Sequence, residues 1–236
     1  MAIHKKILVV SDTHFPYHHP DTFSFLSKLN KAYKPDCVVH IGDEMDWHSI
    51  NVSHVINPDL PSPADELIGG RSLCNQLEKI FPSMWLLESN HGSMILRRAM
   101  AKGMSKFFLK DYNEILEVSH KWKWIERLVL DTDKGKIVFA HQMTKDIAKS
   151  VQATAMSCVQ GHYHTTSEIK YVGNDFHLNF GMTVGCLVDK KSLAMAYMKV
   201  NLAKPILSCG VITNGIPYIV PMVLKKNGSW DGNIYL

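Results

Sequence analysis

Five short apolar runs constrain the fold most strongly, because each is followed at once by polar residues of metal-ligand type. The runs are residues 7–10, 37–41, 84–87, 136–140 and 158–160. They are rich in Val, Ile or Leu without strict alternation, which is typical of strands buried on both faces. Two hairpin signals follow, at Asn174-Asp175 and at Asn214-Gly215. Alternating strands and helices followed by antiparallel strands predict a mixed α/β sandwich.

Helical repeats lie between these runs. Asp21 is a candidate cap for a helix that carries Phe23, Leu26 and Leu29 and stops before Pro35. Further helices are predicted over residues 65–81, 93–104, 145–156 and 193–200. Residues 46–63 contain three prolines and form a predicted long loop, a kind of segment that is often functional. With no linker, repeat or low-complexity tract, residues 1–236 are predicted to form a single domain.

Composition excludes several classes of protein. The net charge of +4 suits an anionic substrate, but it falls short of the basic stripe of a dedicated nucleic-acid binder. The five cysteines contain no Cys-x-x-Cys pair, so we expect reduced, buried thiols and not a disulfide framework or a zinc knuckle. No signal peptide or long apolar run is present, which predicts a cytoplasmic protein without a membrane partner.

The polar residues after the five runs share one chemistry. They are Asp12-Thr13-His14, Gly42-Asp43, Asn90-His91, His141, and Gly161-His162-Tyr163-His164. Carboxyl ends of strands are where α/β sheets bind ligands, and residues two apart in extended backbone face the same way. Gly42 and Gly161 allow close backbone approach. Carboxylate, amide and imidazole donors without thiolate suit Mn, Fe, Zn, Ni or Co better than a structural zinc site.

In order and in placement, this series resembles the signature of the calcineurin-like metallophosphoesterase superfamily, from about residue 6 to residue 164. The resemblance implies a metallophosphoesterase-type α/β sandwich of two mixed β-sheets flanked by helices. Three parts of the chain look most like small members of the superfamily that are often carried by bacteriophages. They are the segment from Gly42 to Trp47, the Ser89-Asn90-His91-Gly92 block and the C-terminal part. A phage-encoded protein would act in the host cytoplasm.

The resemblance also implies the role of each residue. One divalent metal ion would be held by Asp12, His14 and His164, and the other by Asn90, His141 and His162. Asp43 would bridge the two ions, of which manganese is the first choice. A hydroxide bridging the metals would attack phosphorus, and His91 would protonate the leaving group.

One position departs from the family pattern. The family usually has an acid after Asn-His, whereas this chain has Gly92. We therefore expect no neighbouring carboxylate to raise the pKa of His91 by charge attraction.

Three further residues are candidate substrate contacts. Trp47 and His48 follow Asp43 closely and could stack on a nucleobase, although Trp47 could instead anchor the long loop to the core. Arg97 follows His91 on a predicted helix and could grip phosphate oxygens. The alternative for Arg97 is a solvated helix face.

These observations favour a phosphoester hydrolase that acts on nucleotides or nucleic acid, as a phosphodiesterase, nuclease or nucleotidase. Its partner would be a phosphorylated small molecule, a nucleotide or a short nucleic acid. A phosphoprotein phosphatase is one alternative. A non-catalytic scaffold of the same fold is another, but the chain retains His91 and all seven proposed ligands, which favours an enzyme.

Overall fold

The structure is a computed structural model that describes residues 3–51, 59, 61–192 and 203–236. A six-stranded sheet has the order β11-β10-β1-β2-β3-β4. Strands β1 to β4 are parallel, while β10 and β11 are antiparallel additions at one edge. The strands are β1 (Lys6–Val10), β2 (Cys37–His40), β3 (Met84–Leu87), β4 (Trp122–Ile125), β10 (Ser208–Thr213) and β11 (Ile216–Pro221).

A five-stranded sheet has the order β5-β6-β7-β9-β8. Its three central strands are parallel, and the two edge strands β5 and β8 run antiparallel to their neighbours. The strands are β5 (Leu128–Thr132), β6 (Gly135–Phe139), β7 (Ser157–Gln160), β8 (Glu168–Gly173) and β9 (Leu178–Thr183). Both sheets are therefore mixed.

The core follows from side-chain alternation along the strands. In β1, Ile7 and Val9 join a buried cluster with Ile137 and Val159 of the second sheet, so this face lies between the sheets. Leu8 and Val10 point the other way and pack with residues of the helices on the outer face. A smaller cluster packs α5 against the outside of the second sheet.

Five helices flank the sheets in the described part of the chain: α1 (Thr22–Tyr33), α2 (Pro63–Ile80), α3 (Met94–Ala101), α4 (Tyr112–Leu116) and α5 (Ile147–Thr154). Helix α2 begins as its sequence dictates, because Pro63 occupies the first turn and the Ser62 hydroxyl accepts a hydrogen bond from the backbone N–H of Asp65. Asp21 precedes α1, but its side chain does not cap the helix; it accepts from the backbone N–H of Trp230 instead.

Most elements predicted from the sequence are confirmed. All five apolar runs are strands, both hairpins form, and the sandwich of two mixed sheets flanked by helices is the observed fold. The helix predicted over residues 193–200 lies outside the described residues. Among the described residues, no helix is both long and apolar enough to cross a membrane. The single domain over residues 1–236 stays a prediction.

Candidate metal centre

The polar residues predicted to act as metal ligands lie together where the two sheets meet. The loops that carry these polar residues follow β1, β2 and β3 of the larger sheet and β6 and β7 of the smaller one. Backbone hydrogen bonds tie the loops to one another, from His14 N–H to Asp43 O (2.9 Å) and from Gly161 N–H to His141 O (3.0 Å). Both sheets therefore contribute to the site, which is built between them and not along one sheet edge.

A first group of side chains contains Asp12, His14, Asp43 and His164, whose ligand atoms all lie within 4.8 Å of one another. The Nε2 atoms of His14 and His164 are 3.1 Å apart. Asp12 Oδ2 lies 3.1 Å from His164 Nε2, and Asp43 Oδ2 lies 3.4 Å from His14 Nε2. All of these except His164 are almost fully buried.

A second group contains Asp43, His141 and His162, with Asn90 beside it. His141 Nε2 lies 3.3 Å from Asp43 Oδ2 and 2.8 Å from Asn90 Oδ1. His162 Nδ1 lies 3.2 Å from both His141 Nε2 and Asn90 Oδ1. Asp43 is common to both groups, which is the arrangement that a bridging carboxylate requires.

The donor atoms in both groups fit divalent cations. Two ligands at right angles around an ion at ~2.1 Å are ~3 Å apart, which is the spacing observed here. The facing Nε2 atoms of His14 and His164 can each give a lone pair to one shared cation when both carry their proton on Nδ1. Asp12 Oδ1 is buried without a hydrogen-bond partner among the described residues, so it too is an acceptor free for a cation.

The backbone at the ligand positions differs from the extended conformation expected from the sequence. His14 (φ 49°), Asp43 (φ 51°) and His162 (φ 64°) adopt the left-handed region. Strand alternation therefore does not explain why Asp12 and His14, or His162 and His164, face the same site. The prediction of extended backbone is wrong at these positions. Each pair converges because the chain turns sharply, a conformation that costs a non-glycine residue ~1–3 kcal/mol and is concentrated at functional sites.

The predicted role of the two glycines is confirmed. A Cβ on Gly161 would lie 2.5 Å from Asp12 Oδ1, and one on Gly42 would lie 2.9 Å from His141 Nδ1. Gly42 also has a φ of 103°. Neither contact is sterically possible, so both positions require glycine for the ligand loops to approach.

Electrostatics hold the site in a charged, proton-binding state. Burial alone would raise the pKa of Asp43, but the neighbouring histidines, His141 first, hold it well below its usual value. Burial opposes charge on His141, yet the carboxylates of Asp43 and Asp12 outweigh it and raise the pKa of His141 to about 9. A metal ligand must be neutral imidazole, so cation binding here releases protons and is favoured at higher pH.

Hydrogen bonds outside the ligand groups orient two of the histidines. His14 Nδ1 donates to Asp46 Oδ1 (2.6 Å) and His141 Nδ1 donates to the backbone oxygen of Ile41 (3.0 Å). Each bond keeps a proton on Nδ1 and points Nε2 at the cluster, so that Nε2 is the nitrogen that would bind a cation once it has lost its own proton. The sequence analysis missed Asp46, although its place three residues after Asp43 was a signal that could have found it.

His91 is in contact with Asp46, which corrects the expectation drawn from Gly92. Its Nδ1 pairs with the backbone oxygen of Asp46 and lies 3.7 Å from Asp46 Oδ1, and its backbone N–H donates to Asp43 Oδ1 (3.1 Å). Although burial opposes charge on the ring, Asp43 and Asp46 raise the pKa of His91 above its ordinary value. The carboxylate of Asp46, from another loop, thus supplies the negative charge that Gly92 does not provide.

Removing the Asp46 carboxylate is expected to weaken metal binding without removing a ligand. Asp46→Ala deletes the acceptor that fixes His14, and losses of this kind typically cost ~10–100-fold in metal affinity. Asp46→Asn keeps an oxygen acceptor and should retain most of that affinity. Manganese titration of both variants by calorimetry measures the effect, and equal affinities for Asp46→Ala and the parent chain would contradict the assigned role.

The three candidate substrate contacts differ in their surroundings. Arg97 is exposed, donates to Asn90 O (2.6 Å), and lines a cavity of about 370 Å³ together with Asn90, His141 and Arg127. His48 is partly exposed, and its Nδ1 lies 3.7 Å from Asp46 Oδ2. Trp47 is only 2% exposed and donates from Nε1 to the Tyr112 hydroxyl (2.8 Å), which favours the alternative that it anchors the loop.

Comparisons with known proteins place the fold. No family model matches the chain, and no curated protein matches it. Among solved structures, Vps29 from Chaetomium thermophilum is 12% identical to this chain, with a TM-score of 0.52. The match covers 98% of this chain and 94% of the Vps29 chain.

Two further solved structures match less well. An archaeal phosphodiesterase (13% identical, 92% of this chain and 99% of that chain, TM-score 0.49) is one of them. The other is YfcE, a phosphoesterase from E. coli (13% identical, 96% of this chain and 96% of that chain, TM-score 0.45). The likeness to Vps29 supports the fold alone, so an argument for activity has to come from the side chains.

Proposed function

We propose that the protein is a two-metal phosphoester hydrolase of the calcineurin-like metallophosphoesterase superfamily. The observation that carries this proposal is the pair of ligand groups that share Asp43. The first ion would be held by Asp12, His14, Asp43 and His164, and the second by Asp43, Asn90, His141 and His162. Two divalent ions, manganese by preference, would activate water and neutralise charge on the phosphoryl oxygens.

The remaining residues bind and orient the substrate. Arg97 and Arg127 line the cavity next to Asn90 and His141, so their guanidinium groups are placed to hold non-reacting phosphate oxygens by paired hydrogen bonds. Glu88 and Glu126 also line this cavity, so the two arginines mark a position for an anionic group without making the whole cavity cationic. We propose that the substrate is a nucleotide or a short nucleic acid and that the protein acts in the cytoplasm. We also propose that the chain is a phage-type member of the superfamily.

His91 is the proposed proton donor. Its Nδ1 is engaged by the backbone oxygen of Asp46, which leaves Nε2 as the nitrogen available to the substrate. The ring is 20% exposed and makes an edge contact with His14, with ring centroids 4.7 Å apart, so it borders the metal groups and still reaches solvent. Proton donation to a departing alkoxide at this position contributes typically ~10²–10⁴-fold in rate.

Substrate preference is tested by a panel offered to the manganese-loaded chain. We expect turnover of an aryl phosphodiester or of nucleotides, and little turnover of phosphopeptides, because the cavity beside the second ligand group is small and offers two arginines to a phosphate. Arg97→Ala should raise KM for nucleotides, whereas Lys31→Ala, which removes an exposed cation in the last turn of α1, should not. Phosphopeptide turnover in the absence of nucleotide turnover would instead support a phosphoprotein phosphatase.

A further inference from the structure

A second cavity, of about 570 Å³, adjoins the metal centre behind the loop that carries Asn90 and His91. Its walls are mainly apolar and aromatic and come from β3, β4, α3, α4 and the segment between the two helices. The side chains that form these walls are Leu87, Ile95, Leu96, Phe107, Leu109, Tyr112, Ile115 and Trp124. The proposed hydrolytic chemistry uses none of them.

Two buried polar groups on this cavity lack hydrogen-bond partners. Glu44 is 0% exposed, and neither of its carboxylate oxygens has a partner among the described residues. Burial raises the pKa of Glu44 to about 7, although the nearby Tyr112 hydroxyl, which does not meet hydrogen-bond geometry, opposes that shift. Trp124 carries a buried indole N–H that is likewise unpaired within the described part of the chain. The cavity thus offers one strong acceptor and one donor.

Unpaired groups of this kind are rare in folded proteins, because leaving a buried donor or acceptor unsatisfied is costly. A ligand that supplies both partners removes that cost. Gly92 contributes to this wall, and a Cβ at that position would lie 3.4 Å from Glu44 Oε1. The residue that departs from the family pattern therefore lies directly beside the unpaired carboxylate.

The chemistry of the walls defines the ligand class. The flat apolar faces of the walls suit a planar ring. The unpaired acceptor and donor suit a ring that carries both N–H donors and acceptor atoms. Lys106 and Lys110, which also line the cavity, suit a nearby phosphate. The cavity also shares Glu88, Ser89 and Ser93 with the cavity that is lined by Asn90, His141 and Arg97. One ligand could therefore extend from this cavity towards the metal centre.

We propose that this cavity binds a nucleobase, with Glu44 accepting hydrogen bonds from its N–H groups, and that it selects the base of the substrate. The inference rests on the proposed function only in assigning the base to the substrate. Binding of the base itself requires no metal and no hydrolysis, so it can be measured separately.

The test is a titration of the metal-free chain with guanosine, adenosine and cytidine, followed by protein NMR or calorimetry. We expect at least one nucleoside to bind, and a riboside carrying benzene in place of the base to bind much more weakly. Glu44→Gln should weaken nucleoside binding roughly 10–100-fold, because it replaces one of the two carboxylate oxygens with an amide NH₂ group that cannot accept. Leu96→Trp fills the cavity from the exposed side of α3 and should weaken binding at least as much.

Matched controls separate the base site from a structural effect. Leu178→Trp makes the same change at a 70% exposed position on β9 and should leave nucleoside binding intact. Leu96→Trp should also raise KM for nucleotides, whereas Leu178→Trp should leave it at the parental value. Binding of no nucleoside, equal binding of the apolar riboside, or equal losses in both Trp variants would overturn the inference.

The same measurements distinguish this inference from the proposed function. Hydrolysis of the aryl phosphodiester without nucleoside binding would sustain the hydrolase and reject the base site. Nucleoside binding that depends on Glu44 and Leu96, with no ester hydrolysed by the manganese-loaded chain, would sustain the base site and reject the hydrolase.

Discussion

Replacing Asp43 by alanine is expected to remove most of the bound metal and essentially all activity. Asp43 is the one side chain shared by both ligand groups, and its Oδ2 lies 3.4 Å from His14 Nε2 and 3.3 Å from His141 Nε2. Without it, each ion would lose a charged ligand, and the second ligand group would keep no carboxylate. Losing ~4 kcal/mol of transition-state stabilisation corresponds to ~10³-fold in rate, and we expect at least that loss.

Elemental analysis and aryl phosphodiester turnover measure this effect. Asp133→Ala is a suitable control because Asp133 is an exposed acid in the turn between β5 and β6. The control should bind about two ions and turn over substrate at the parental rate. An Asp43→Ala chain that is folded, retains both ions and remains active would show that Asp43 does not bridge metals.

The second large effect is expected at His91, and it should depend on the leaving group. His91→Asn keeps a side-chain N–H that can reach Asp46 O, so metal content should be unchanged. On an ester with an alkoxide leaving group, kcat should fall by roughly 10²–10⁴-fold, because no proton is supplied as the bond breaks. On an aryl ester the loss should be much smaller, because a phenolate departs without protonation.

The leaving-group difference separates a proton donor from a ligand. A variant that loses a ligand loses metal, and it then slows both substrates alike. His120→Asn is the matched control because His120 is exposed and distant in sequence from every proposed ligand. If His91→Asn empties a metal position, or slows both kinds of ester equally, the proton-donor assignment is wrong.

The fold was predictable wherever a strand is buried on both faces. Residues 7–10 and 158–160 lie in central strands and have the continuous apolar sequences that such positions require. The sequence analysis missed β4 and β5, and each lies at the edge of its sheet. In β5, buried Leu128 and Leu130 alternate with Val129, which is 39% exposed, so no continuous run marks the strand.

The side chains that cluster in the two proposed ligand groups could be named from the sequence because each follows its own strand. The contacts around them could not. Asp46 reaches His14 and His91 from a different loop, and Ser89 Oγ accepts from the backbone N–H groups of Asp43 and Gly92. Such contacts depend on how the loops pack across two sheets, and no spacing in the sequence encodes that packing. The left-handed backbone of His14 and Asp43 is a product of the same packing.

Anomalous diffraction from crystals grown with manganese tests the central claim most directly. We expect two peaks per chain, ~3.5–4 Å apart as in two-metal hydrolases. One should contact Asp12, His14 and His164, the other Asn90, His141 and His162, with Asp43 between them. A single peak, no peak, or manganese bound away from Asp43 would contradict the two-metal site.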